Sequence, residues 1–123
     1  IYTYVNSELK KPVIKEPFFE GKVAVLIGPR TFSSANMLAD GIVSYQLAAT
    51  FGEPTGESPN DFGEMFEFML PNTYILARAA SKMFTRADKD EKNLGPVIPQ
   101  KIIIPTASEK KQKKDPVLES AVN

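Results

Sequence analysis

Seven residues, Lys22 to Gly28 (KVAVLIG), constrain the fold more than any other stretch of this chain. Val, Leu and Ile fall on both alternating faces of the run, which is the pattern of a strand covered on both sides, as in a mostly parallel sheet flanked by helices. A parallel neighbour needs a crossover connection, and the next residues supply one. From Ala35 the apolar positions Ala35, Leu38, Ala39, Ile42 and Val43 follow 3-4-3 spacing, so the period predicts an amphipathic helix to about Tyr45 or Leu47, packed on the sheet. A second strand is expected over about Ala48 to Phe51, before GEPTGESPND, whose Gly, Pro, Asn, Asp and Ser content predicts an irregular loop. The unit is therefore strand, helix, strand, loop.

The second half reads as mostly β. MFEFML alternates as a strand, TYILARA and SKMFTRA read as another bent or paired segment, and KIIIP as a short final strand before a lysine-rich stretch. Leu70-Pro71-Asn72 breaks the alternation and reads as a turn. Asp115 followed by Pro116 predicts the start of a short terminal helix. At the other end, Ile1 to Val5 alternates weakly as a short strand, and Lys10 to Pro17 reads as a connection. The expected fold class is α/β, a mixed sheet crossed by at least one helix with a β-rich second half. Three parts are expected: a connecting segment over residues 1–20, a main unit over 21–106, and a lysine-rich linker with a short terminal helix over 107–123.

Composition removes several kinds of function. The chain has 123 residues, 42% of them hydrophobic, which is the size of one domain and enough for a core. Fifteen basic and fifteen acidic residues cancel, so no overall field favours nucleic acid or an anionic membrane surface. There is no cysteine and no histidine, which excludes disulfides, thiolate metal sites and a self-contained Ser-His pair. Neither metal nor cofactor is expected. No apolar stretch approaches the roughly 20 residues that span a bilayer, and IYTYVNSELKKPV lacks the apolar core of a signal peptide.

The chemistry concentrates in GPRTFSSANMLAD, residues 28 to 40. Ser33 and Ser34 sit where the apolar strand stops and the helix begins. Serine there often caps the helix through its hydroxyl. It is equally well placed for acyl transfer, because the unpaired N–H groups and dipole of the helix start stabilise negative charge developing on a bound carbonyl. The glycines of GEPTGESPNDFG (Gly52, Gly56, Gly63) suit either close approach to an extended substrate or the turns of any long loop.

Four segments in order, GKVAVLIGPRTFSSANMLADGI, FGEPTGESPNDFGE, LPNTYILA and RADKDEKNLGPVIPQKII, make the chain resemble the C-terminal processing (tail-specific) serine peptidases, relatives of the tricorn protease core, over roughly Gly21 to Thr106. The resemblance implies part of a ClpP/crotonase-like core and a serine endopeptidase working through an acyl-enzyme on protein or peptide substrates. It implies Ser33 as nucleophile and the Ser34 N–H as an oxyanion donor. In the tail-specific branch a lysine base follows the GEPT-type turn, and Ser58 stands at that place here. In the tricorn-like branch a histidine from an earlier part of the domain is oriented by a glutamate, for which Glu91 is the match, although it is also one charge in the solvated run DKDEK. Lys82, Lys89 and Lys92 are other candidate bases that nothing in their spacing separates.

By the same resemblance, an earlier strand with a glycine-rich turn is missing, so the partner expected is an N-terminal part of the same polypeptide, and the chain alone is expected to be inactive. The family is usually exported or envelope-associated. Because Ser58 replaces the lysine, the alternative is a non-catalytic peptide or hydrophobic-ligand binding module on the same scaffold, as in the retinoid-binding relatives; a purely structural domain is a third reading.

Overall fold

A computed structural model describes residue 16 and residues 19–123. The expected strand at Ile1 to Val5 and nearly all of the Lys10 to Pro17 connection lie outside the described residues. Within them the chain is α/β. Strand β1 (Ala24–Ile27) runs into helix α1 (Ser34–Ser44) and then β2 (Ala49–Gly52). β1 and β2 pair in parallel from Ala24↔Ala49 to Ile27↔Gly52, and β5 (Lys101–Ile102) pairs in parallel with the other edge of β2. Between β2 and β5, β3 (Asp61–Met69) and β4 (Leu76–Phe84) form a separate antiparallel hairpin. Parallel and antiparallel pairings are thus both present, but in two sheets.

Helices α2 (Ala107–Lys111) and α3 (Pro116–Val122) end the chain. Asp115 caps α3 by accepting the Leu118 N–H at 3.0 Å. α2 falls where a lysine-rich linker was expected. Its signal is a reciprocal capping box: Thr106 Oγ1 accepts the Glu109 N–H, while Glu109 accepts the Thr106 N–H. The Glu109 carboxyl is held below its ordinary 4.5, first by the Thr106 hydroxyl and then by the Thr106 N–H. Folding therefore favours the carboxylate, and this contribution is complete above pH 4.5 and lost as pH falls through the lower folded value. Acidification from about pH 6 to well below pH 4.5 should reduce the helical Cα shifts of α2 in NMR spectra. Unchanged shifts would show that the box does not hold this helix.

Among the described residues β1 is not covered on both sides. Ile27 is buried, but Leu26 on the opposite face is 42% exposed. The buried hydrophobic core among the described residues is Ile27, Ala39 and Val97, with Val25 and Val43 packed against it. α1 is also rotated from the expected stripe. Leu38 is exposed, whereas Asn36, Ala39 and Asp40 are buried. Asn36 and Asp40 are one turn apart on the same face: the Asn36 amide donates to the Glu57 carbonyl, and Asp40 meets Arg86 and the Ala87 N–H, so a polar pair takes the interior face in place of Leu38.

The hairpin is apolar on both sides. Met65 (57% exposed) and Phe66 (64%) are adjacent and so face opposite ways. The remaining loops pack on their own backbone. A Cβ at Gly56 would lie 2.2 Å from the Pro29 carbonyl oxygen, and one at Gly52, where φ is +122°, 2.0 Å from the Ile27 carbonyl oxygen. These two glycines are required by close approach within the chain, not by a ligand.

Candidate active site

Six residues connect β1 to α1, and the first four close a turn. The Thr31 N–H donates to the Gly28 carbonyl at 2.8 Å, and the Gly28 N–H donates to Thr31 Oγ1 at 3.0 Å. Ser33 then occupies the position before the first residue of α1, with φ 52° and ψ −125°. An L-residue with a side chain rarely adopts this combination, which costs on the order of 1–3 kcal/mol. Its hydroxyl makes no capping hydrogen bond. The capping alternative therefore fails for Ser33: the residue has the cap position without the cap interaction, at a strained backbone.

The hydroxyl-bearing turn opens on a cleft of about 570 Å³. Phe32, Ser33 and Ser34 form one wall, Glu57 and Ser58 the base of the loop between β2 and β3, and Asp61 to Met65 the opposite wall. Ser34, the first residue of α1, has an N–H that meets no acceptor among the described residues. It is one of the orphan donors of a helix start.

The GEPTGE loop is held against this turn by specific contacts. The Gly56 N–H donates to the Thr31 carbonyl at 3.2 Å, and buried Thr55 exchanges hydrogen bonds with the Val97 backbone, accepting at 2.9 Å and donating its own N–H at 3.1 Å. The Glu57 carbonyl accepts from the Asn36 side-chain amide and from the Thr55 hydroxyl, each at 3.2 Å. These contacts deliver the Glu57 carboxylate to the start of α1, where it accepts the Ser33 N–H. A carboxylate is the natural occupant of the positive end of a helix. Glu57 is the site residue that sequence reasoning missed; its one signal was a carboxylate directly after the glycine of the GEPTG turn.

Of the other expected residues, Ser58 lines the cleft and its Oγ accepts the Asn60 N–H at 3.1 Å. Glu91 does not line it. It is exposed on the segment between β4 and β5, its N–H donating to the Lys89 carbonyl at 3.0 Å. Among the described residues no lysine or arginine lines the cleft. Lys82 approaches only indirectly, through an exposed ion pair with Glu64 at 2.7 Å, and Lys89 and Lys92 are exposed.

Behind the cleft a buried polar network ties α1 to that same segment. Arg86 and Asp40 are both buried, with Arg86 Nη2 3.7 Å from Asp40 Oδ1. Asp40 Oδ2 accepts the Ala87 N–H at 2.6 Å, and Arg86 Nη1 donates to the Gly95 carbonyl at 2.9 Å. Asn60 completes the network, accepting the Arg86 N–H at 2.8 Å and donating to the Asp90 and Asn93 carbonyls at 2.8 and 2.9 Å.

No group of three or more potential metal ligands occurs among the described residues, and none of their helices is long and apolar enough to cross a membrane. No family model matches this chain, and no curated protein matches it.

Proposed function

We propose that the chain is part of the catalytic domain of a serine endopeptidase of the C-terminal processing type, on a partial ClpP/crotonase-like core, with Ser33 as nucleophile and the Ser34 N–H as oxyanion donor. The observation that carries this reading is Ser33 itself: a strained, exposed serine at a strand-to-helix turn, facing a cleft, whose hydroxyl is not spent on capping. A sharp turn of this kind is how other serine hydrolases lift the nucleophile clear of the sheet. In the reaction, Ser33 Oγ bonds to the scissile carbonyl carbon as its proton passes to a base. Collapse breaks the C–N bond, the leaving amine takes that proton, and water repeats the sequence to free the acid.

The base is not among the residues lining the cleft, so this reading assigns it to a segment outside the described residues. The uncovered apolar faces of β1 and of the hairpin favour such a segment, because exposed surface of this extent is normally buried by a partner. Glu91 would orient that base only if the added segment reached the outer surface where Glu91 lies; the cleft gives it no part. Protein or peptide substrates and an exported or envelope location belong to the same proposal.

Labelling the natural full-length polypeptide with a fluorophosphonate probe tests it, since only an activated serine reacts. Covalent modification mapped to Ser33 is expected. A second reading, a non-catalytic binding module on the same scaffold, is favoured by one observation: the Glu57 carboxylate already occupies the donor end of α1. On that reading the probe leaves Ser33 unmodified.

A further inference from the structure

Acyl transfer at Ser33 makes no use of the opposite wall of the cleft. That wall is the first part of β3, Asp61 to Met65, with Phe84 of β4 beside Asp61. Among the described residues β3 is paired on one edge alone, to β4. The Phe62 N–H donates to the Asp61 carboxylate at 2.7 Å. At Glu64 φ is 50° and the residue drops out of the ladder with β4, its carbonyl accepting from the Ser81 hydroxyl instead. Breaks of this kind re-aim the groups beside them. A row of strand N–H and C=O groups is matched in spacing by another extended backbone, and by little else.

The side chains on the wall narrow the ligand further. Glu57, Asp61 and Glu64 line the cleft, and no lysine or arginine among the described residues does. Glu64 is compensated by Lys82, but among the described residues no ion pair engages Glu57 or Asp61. Phe32, Met37, Phe62 and Met65 leave exposed apolar surface between the acids. A further acceptor belongs to the same lining: Asn36 is 1% exposed, and its Oδ1 has no hydrogen-bond partner among the described residues. A buried acceptor left unpaired is costly, and a ligand N–H relieves it.

The geometry points to an extended peptide segment bearing a cationic side chain next to an apolar one, bound as an added strand on the free edge of β3. An acidic segment would place like charges in one cleft and is rejected. The inference rests on the reading of this cleft as one that handles peptides, but not on Ser33 being reactive.

The test uses the chain with Ser33→Ala, so that turnover plays no part. Two short blocked peptides, fluorescently labelled and differing only in a central Lys or Glu between Leu and Phe, are titrated by anisotropy. The Lys peptide should bind at least about tenfold more tightly, with NMR amide shifts at Phe62 to Met65. Asp61→Asn, or Glu57→Gln if that variant is poorly folded, should cut the ratio to about threefold or less. Equal binding of the two peptides, an undiminished ratio in the folded variant, or shifts confined to β1 would overturn the inference. An unlabelled Ser33 in the fluorophosphonate experiment leaves this result standing. A labelled Ser33 with no charge preference defeats this inference alone.

Discussion

Ser33→Ala in the full-length polypeptide should abolish probe labelling and lower peptide hydrolysis by at least about a thousandfold. The same variant should change folding stability by less than about 1 kcal/mol, because the hydroxyl caps nothing. Ser33→Gly sharpens the distinction. Glycine relieves a strain of about 1–3 kcal/mol and loses about 0.5–1 kcal/mol through greater freedom of the unfolded chain. A net gain of about 1 kcal/mol in urea denaturation is expected, with activity still lost. Stability gained while activity disappears is the mark of a strain kept for function. Labelling that persists in Ser33→Ala would remove Ser33 from the mechanism.

The largest stability effect should come from Asp40→Ala. It leaves buried Arg86 with only the half-exposed Asp88 carboxylate, 3.7 Å from its Nε, and the Ala87 N–H without its acceptor. Removing one partner of a buried pair typically costs about 3–5 kcal/mol, a large part of the margin of an ordinary domain. Asp40→Asn keeps an acceptor for Ala87 and should cost less, about 1–3 kcal/mol. Denaturant midpoints at constant slope would measure both. A loss below about 1 kcal/mol in Asp40→Ala would show that Asp88 and the Gly95 and Asn93 carbonyls satisfy Arg86 without Asp40.

What could be read from the sequence was what local patterning carries. The Val-Leu-Ile run and the 3-4 spacing after Ala35 located β1, α1 and β2 to within a residue or two, and Ser33 and Ser34 stood out because they fall at the junction. The hidden parts depend on contacts between distant residues. Glu57 reaches Ser33 across 24 positions of chain, only after Gly56 lets its loop settle on Pro29. Asp40 meets the Ala87 N–H across 47 positions, so nothing local marks it as part of the buried face. α2 was missed because its start is set by a capping box in a lysine-rich run that has no apolar period. The coverage of β1 was overestimated for a related reason: an apolar strand shows that both faces favour burial, not that both receive it.

The polar network behind the cleft holds the segment after β4 by its main chain. Asn60 and Arg86 reach the carbonyls of Asp90, Asn93 and Gly95, and Asp40 takes the N–H of Ala87. Side chains at Lys89, Glu91, Lys92 and Leu94 contribute nothing to that grip. Shape and identity are therefore uncoupled at these four positions, while Asp88, Asp90 and Asn93 turn the stretch through their own side chains. Related chains should vary widely at the four without disturbing α1, and new surface chemistry can arise beside the cleft at little cost to the fold.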